Sequence, residues 1–137
     1  MVPIIISAHG NLASELIKSV EMIAGKQELC KAVNFYMGED LDKFMDELEA
    51  GIRAFGKETL CLVDLRGGTP FNMLVKLCEK YPFLKIITGV NMPMLLQTVI
   101  TRQSKMNIYE LLHEVIDSGK KGIEFIQLDF IDEDDDF

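Results

Sequence analysis

Two residues suited to phosphoryl chemistry follow short apolar segments of this sequence. His9 comes after the apolar run at residues 2–7, and Asp64 ends the run at residues 59–64. An imidazole that donates one ring hydrogen to a carboxylate is held in a single tautomer, and its other nitrogen keeps an exposed lone pair. Such a nitrogen is a nucleophile for phosphorus, and the carboxylate stabilises the positive charge that develops on the ring. His9 and Asp64 are therefore the candidate catalytic residues.

The residues next to this pair are suited to hold a phosphoryl group. Helix N-termini present free N–H groups and a partial positive charge, and the sequence predicts helix starts after His9 and after Gly68. Glycines allow backbone amides to approach a ligand closely, and an arginine adds a charge-assisted hydrogen bond. The candidate phosphoryl-binding residues are Gly10, Arg66, Gly68, Thr69 and Asn72.

Apolar periodicity divides the chain into alternating strands and helices. Strands are predicted at residues 2–7, 32–36, 59–64, 84–88 and 123–128. Helices with one apolar face follow each of the first four, and another begins after Asn107, with Glu110 in a near capping-box position. Thr69 is the predicted cap of the third helix, with Pro70 at its first helical position.

This alternation predicts one three-layer α/β domain, with a mainly parallel sheet and helices on both faces. Ligands of such sheets bind at the carboxyl ends of the strands, next to the point where strand order reverses. If the first and third strands are neighbours, His9 and Asp64 face each other at that edge. The domain is assigned to residues 1–128 and an acidic tail to residues 129–137.

Composition excludes several classes of function. The tail contributes six of the acids behind the net charge of −8, which argues against nucleic acid as a partner. No apolar run approaches the length of a membrane span, and the start lacks the features of a signal peptide, so a cytoplasmic protein is expected. The three cysteines, Cys30, Cys61 and Cys78, are interpreted as small apolar residues, because their spacing supports no zinc site.

Each candidate residue also has a simpler interpretation. A single histidine after a strand is more often structural, and Asp64 before two glycines is as often a turn cap. Thr69 and Pro70 are at least as often only a helix start. The convergence of a histidine, an acid and two helix starts at one edge favours the chemical interpretation. His113 has no such surroundings and is interpreted as non-catalytic.

At these residues the chain resembles the IIA domain of the mannose-family sugar phosphotransferase system. Three segments carry the resemblance, in the same order and spacing: Ile6-Ser7-Ala8-His9-Gly10, residues 62–72 (LVDLRGGTPFN) and residues 89–94 (GVNMPM). The similarity spans residues 1 to about 128, as far as the acidic tail. Three linked motifs are far more specific than one glycine-rich loop.

The resemblance implies that His9 is phosphorylated through Nε2, that Asp64 orients Nδ1, and that Thr69 matches a position held by Ser or Thr. It implies the phosphohistidine form of HPr as donor, a IIB component as acceptor, and IIC and IID membrane subunits downstream. It also implies a homodimer whose antiparallel last strand can be exchanged between subunits, and neither cofactor nor metal. Many relatives continue into a IIB domain, whereas here an acidic tail follows, so a separate IIA subunit is expected.

Two other functions remain open on the sequence. The phosphodonor subunit of dihydroxyacetone kinase has a similar fold and a similarly placed histidine, although residues 67–72 (GGTPFN) favour the sugar-transport branch. A non-catalytic receiver-like or flavodoxin-like binding module is the third hypothesis. A receiver needs an acidic pair after its first strand to hold magnesium, and Ser7, Ala8 and His9 stand there instead.

Overall fold

A computed structural model of the chain describes residues 1–128 as a four-stranded sheet flanked by five helices. The predicted acidic tail at residues 129–137 lies outside the described residues. The elements, in chain order, are β1 (Ile4–His9), α1 (Leu12–Ala24), β2 (Cys30–Phe35), α2 (Leu41–Phe55), β3 (Thr59–Val63), α3 (Thr69–Lys80), β4 (Leu84–Ile87), α4 (Met92–Thr101) and α5 (Ile108–Lys121).

The four strands are parallel and lie in the order β2-β1-β3-β4. The chain moves from β1 to β2 at one edge and then returns to β3 on the other side of β1. Strand order therefore reverses between β1 and β3, and the crevice at their carboxyl ends is where such sheets bind ligands. The predicted α/β fold with a parallel sheet is confirmed.

Side chains alternate across β1 and build a core on each face of the sheet. Ile4 and Ile6 pack with apolar residues of α1, α4 and α5. Ile5 points to the opposite face, where it packs in a core with Phe44 of α2 and Leu74 of α3. All three isoleucines are fully buried, because a central strand of a doubly covered sheet is apolar on both sides. The prediction of helices on both faces is confirmed.

Side-chain caps hold the starts of three helices. Asp40, Asn91 and Asn107 each accept a hydrogen bond from a backbone N–H in the first turn of α2, α4 and α5. Asn107 also donates through Nδ2 to Glu110 Oε1 at 2.9 Å, which confirms the predicted link between these residues. The predicted Thr69 cap is wrong, because Thr69 is already helical and Gly68 occupies the cap position.

The predicted strand at residues 123–128 does not form within the single chain. Residues 123–127 have no regular secondary structure, and the side chains of Ile123 and Phe125 are largely exposed. A strand exists only when a neighbouring strand accepts its hydrogen bonds, whatever its own β-propensity. Within the described chain this segment joins no edge of the sheet, so its apolar residues remain in solvent.

Arg102, after α4, joins the segments that precede β1 and β2, at the edge of the sheet opposite the carboxyl ends of the strands. Its guanidinium donates to the carbonyl oxygens of Val2 and Leu29 at 3.0 and 2.9 Å. It also donates to Gln27 Oε1 at 3.0 Å and to the Glu28 carbonyl at 2.6 Å. Only 3% of Arg102 is exposed, and its loss would remove these four hydrogen bonds from a part-buried site.

Arg102→Met is therefore expected to lower the free energy of unfolding by about 3 kcal/mol, measured by urea denaturation. Arg53→Met is the matched control, because the Arg53 side chain is 69% exposed and lies 3.9 Å from Glu49. We expect that control to change stability by less than about 0.5 kcal/mol. Equal losses in the two variants would contradict a special role for the Arg102 contacts.

Candidate functional site

The structure brings His9 and Asp64 together at the carboxyl ends of two neighbouring strands. His9 is the last residue of β1, and Asp64 directly follows β3. His9 Nδ1 lies 2.7 Å from Asp64 Oδ2, and the His9 backbone N–H donates to the same oxygen at 3.1 Å. The predicted meeting of the two residues at one edge of the sheet is confirmed.

The protonation state of Asp64 determines the tautomer of His9. Burial of the Asp64 carboxyl raises its pKa, but hydrogen bonds from the His9 ring and backbone outweigh this effect and hold the pKa below its ordinary value. An ionised carboxylate only accepts hydrogen bonds, so the hydrogen must lie on Nδ1. In the neutral ring Nε2 then carries a lone pair and no hydrogen.

The two side chains differ in their access to solvent. The His9 side chain is 48% exposed, whereas the Asp64 side chain is 16% exposed. A partner can therefore reach the imidazole directly while the carboxylate stays behind it. Asp64 Oδ1 is buried and accepts no hydrogen bond from residues 1–128, so the interaction with His9 is concentrated on Oδ2.

The loop between β3 and α3 makes a tight turn beside this pair. Gly67 has φ of +84°, a left-handed conformation that glycine adopts without strain. Asn72 braces the turn, because its side-chain Nδ2 donates to the Gly67 carbonyl at 3.1 Å. The turn leads the chain directly from Asp64 into the first residue of α3.

The start of α3 faces the His9 ring. A side-chain carbon built on Gly68 would lie 2.8 Å from His9 Cε1 and 3.6 Å from Nε2. The backbone N–H groups of Thr69 and Phe71, in the first turn, have no intrahelical carbonyl to bind. Thr69 is half-buried, while Arg66 and Asn72 are exposed on the same loop and helix start. The structure thus places Gly68 against the histidine, and Arg66, Thr69 and Asn72 belong to the same loop and first helical turn.

Gly10 and Phe35 form the other side of the site, towards β2. Gly10 has φ of +63°, and its N–H donates to the Phe35 carbonyl at 2.7 Å. The Phe35 ring meets the His9 ring edge-on, with centroids 5.9 Å apart and planes at 80°. Sequence reasoning missed Phe35, because its place beside His9 follows from the pairing of β1 with β2.

A network of polar side chains fixes the loop after His9, and sequence reasoning missed it as well. Tyr36 Oη donates to Asn11 Oδ1 at 2.8 Å, and Asn34 Nδ2 donates to Ser14 Oγ at 3.0 Å. Asn34 Oδ1 also accepts from the Ser14 N–H at 3.2 Å. Asn11 occupies the N-cap position of α1, but its side chain makes no cap hydrogen bond. The network instead attaches the start of α1 to the end of β2.

The remaining nucleophilic and metal-binding side chains lie outside this site. His113 is exposed on α5. All three cysteines are free, and burial raises the pKa of each thiol, to about 11 for Cys30. Among residues 1–128 no group of three or more His, Cys, Asp or Glu side chains is placed to hold a metal ion. No helix in that part of the chain is long and apolar enough to span a membrane.

Comparison with protein families gives one match that covers most of the chain. The model of the EIIA-man family, described as the PTS system fructose IIA component, matches residues 3–116. That range includes both His9 and Asp64, together with the loop and helix start described above.

Two characterised relatives illustrate the similarity. The chain is 30% identical over 128 residues to the PTS system mannose-specific EIIAB component of Escherichia coli K12, covering 92% of this chain. It spans only 40% of the length of that relative. It is also 34% identical over 100 residues to the PTS system sorbose-specific EIIA component of Klebsiella pneumoniae, covering 72% of this chain and 73% of that protein.

Two solved structures share the fold over nearly their whole length. The phosphotransferase system component EIIA from Streptococcus agalactiae superposes with a TM-score of 0.84 at 37% identity, covering 91% of this chain and 97% of that one. The mannose/sorbose specific IIA subunit from Enterococcus faecalis gives a TM-score of 0.84 at 30% identity, covering 93% and 97%.

Proposed function

Because the chain belongs to the EIIA-man family of phosphotransferase system IIA components, we propose that it carries phosphoryl groups from phospho-HPr to a IIB component during sugar uptake. The observation that carries the proposal is the 2.7 Å contact between His9 Nδ1 and Asp64 Oδ2. That contact leaves Nε2 as the nucleophilic nitrogen of a half-exposed ring.

The transfer is an exchange of one N–P bond for another. The Nε2 lone pair of His9 attacks phosphorus as the N–P bond of the donor breaks, and the donor imidazole takes that electron pair. The imidazolium that forms on His9 is stabilised by the Asp64 carboxylate through Nδ1–H. The reverse events, with a IIB component as acceptor, return His9 to its neutral form.

Backbone and side-chain groups beside His9 hold the phosphoryl oxygens in this proposal. The free amides at the start of α3 and its partial positive charge favour an anion there. The Thr69 hydroxyl, the Asn72 amide and the exposed Arg66 guanidinium are close by in the chain, and Gly10 leaves the approach from α1 open. Phosphoryl transfer depends mainly on such positioning and charge stabilisation.

The proposed location, partner subunits and oligomeric state also rest on membership of the EIIA-man family. We propose that the chain works in the cytoplasm, upstream of IIC and IID membrane subunits, and forms a homodimer with exchanged last strands. The exposed apolar side chains of Ile123 and Phe125 support the last point. The match to sugar-system IIA components favours this function over the dihydroxyacetone kinase and receiver-like hypotheses.

The proposal is tested by incubating the purified chain with phosphoenolpyruvate, enzyme I and HPr, followed by intact-mass analysis. We expect one acid-labile phosphoryl adduct that depends on HPr and disappears when a purified IIB component is added. A chain that stays unmodified would refute the proposal. Discharge to a dihydroxyacetone kinase partner but to no IIB component would move the chain to the other pathway.

A further inference from the structure

Gly68 stands at the N-cap of α3 although its backbone does not require glycine. Its φ of −75° and ψ of 167° lie in the extended region that every residue type adopts. Gly67, one residue earlier, has φ of +84° and does have a conformational reason to be glycine. A different reason is needed for the glycine at position 68.

The cap position would benefit from a polar side chain. Ser, Thr, Asp and Asn are favoured at helix N-caps, because their side chains accept a hydrogen bond from the first turn. Asp40, Asn91 and Asn107 do this for three other helices of the molecule. Helix α3 starts with no such hydrogen bond. A side chain is thus absent from a place where local helix stability favours one.

The His9 ring occupies the space that this side chain would take. A Cβ atom at position 68 would lie 2.8 Å from His9 Cε1, well inside the 3.5–4.0 Å at which carbon atoms make favourable contact. It would also lie 3.3 Å from the Leu65 carbonyl oxygen, which belongs to the turn. The half-exposed ring is free to swing into solvent, so it would move before the backbone does.

A displaced ring would lose the geometry on which the transfer depends. Nδ1 meets Asp64 Oδ2 at 2.7 Å only while the ring lies against Gly68, with Phe35 edge-on at its β2 side. Phe35 is held in turn by Phe44, with ring centroids 4.8 Å apart. Phe35 thus blocks movement of the His9 ring towards β2. A displaced ring can move only towards solvent, away from Asp64.

We propose that Gly68 is a positioning residue for phosphoryl transfer, because a bare cap on α3 keeps open the space in which the His9 ring contacts Asp64. The proposal rests on the proposed function of His9 as phosphoryl acceptor. In this proposal, the absence of a capping side chain on α3 has a functional reason, because it lets the imidazole stay in its reactive orientation.

The test compares Gly68→Ala and Gly68→Ser with the wild-type chain in three measurements. We expect both variants to accept phosphoryl from phospho-HPr about 10- to 100-fold more slowly, as small misplacements of reacting groups do. Urea denaturation should give Gly68→Ser a midpoint at or above that of the wild type, because serine caps the helix. Nitrogen NMR of the His9 ring should show that the fixed Nδ1–H tautomer is lost.

Gly51→Ala is the matched control, since it also adds one methyl group to a glycine. Gly51 lies inside α2, and its new Cβ would meet only flexible or apolar side-chain atoms, the nearest being Lys31 Cδ at 3.3 Å. We expect this variant to keep the wild-type transfer rate and the wild-type His9 tautomer.

Three outcomes would overturn the role of Gly68. They are unchanged transfer in both variants, slowed transfer with the wild-type tautomer retained, and loss of the folded state in both. Failure of the proposed function looks different, because the wild-type chain itself would then not be phosphorylated by phospho-HPr. In that case the tautomer measurement still decides whether a side chain at position 68 displaces the His9 ring.

Discussion

His9→Ala is expected to abolish phosphoryl acceptance from phospho-HPr, with intact-mass analysis detecting no adduct where the wild-type chain gains one. The reason is chemical: alanine has no nitrogen to form the N–P bond. The fold should persist, because the His9 side chain is half-exposed at the end of β1 and contributes little to either core.

His113→Ala is the control for this experiment, since it removes the other histidine of the chain. His113 is exposed on α5, away from the carboxyl ends of β1 and β3. We expect its variant to be phosphorylated at the wild-type rate. Normal labelling of the His9 variant, or loss of labelling in the His113 variant, would remove His9 from the proposed mechanism.

Asp64→Asn is expected to slow phosphoryl acceptance by about 10²- to 10³-fold while the chain still folds. Asparagine keeps the size of the side chain but removes the negative charge that stabilises the imidazolium. Its amide can also present a hydrogen-bond donor to the ring, which would favour hydrogen on Nε2, the nitrogen that must carry the lone pair. The rate is measured as the single-turnover transfer from phospho-HPr.

The effect of Asp64 should arise from its contact with His9 and not from net charge alone. Asp117→Asn makes the same chemical change on α5, where Asp117 pairs with Lys121 at 3.0 Å and 48% of its side chain is exposed. We expect this control to transfer at the wild-type rate. If the Asp64 and Asp117 variants proved equally active, Asp64 would have no part in the transfer.

The strands and helices were largely readable from local patterns. The stripe of Phe44, Leu48 and Ile52 predicts α2, and all three residues are fully buried in the structure. Likewise, the polar residue Asn107 correctly predicts where α5 begins. Such signals are local, because helical periodicity and capping involve residues only a few positions apart.

Two local predictions failed where a non-local contact had the greater effect. Thr69 has the better side chain for a cap, yet α3 starts one residue earlier than predicted. Thr69 is its first residue, and Gly68 is the cap and lies against the His9 ring. Residues 123–128 are mostly apolar, as in a strand, yet they reach no strand edge within the described chain. Neither the ring nor the strand edge is visible in the local sequence.

By itself, the sequence determined which side chains are available for phosphoryl chemistry and which segments fold into strands and helices. Only the tertiary structure decided that His9 meets Asp64, that Phe35 lies against its ring, and that Gly68 leaves room for it. The physical reason is that β1 lies between β2 and β3, so His9 meets residues 26 to 59 positions away in the chain. Strand order is set by how all the helices cover the sheet, and no short segment encodes it.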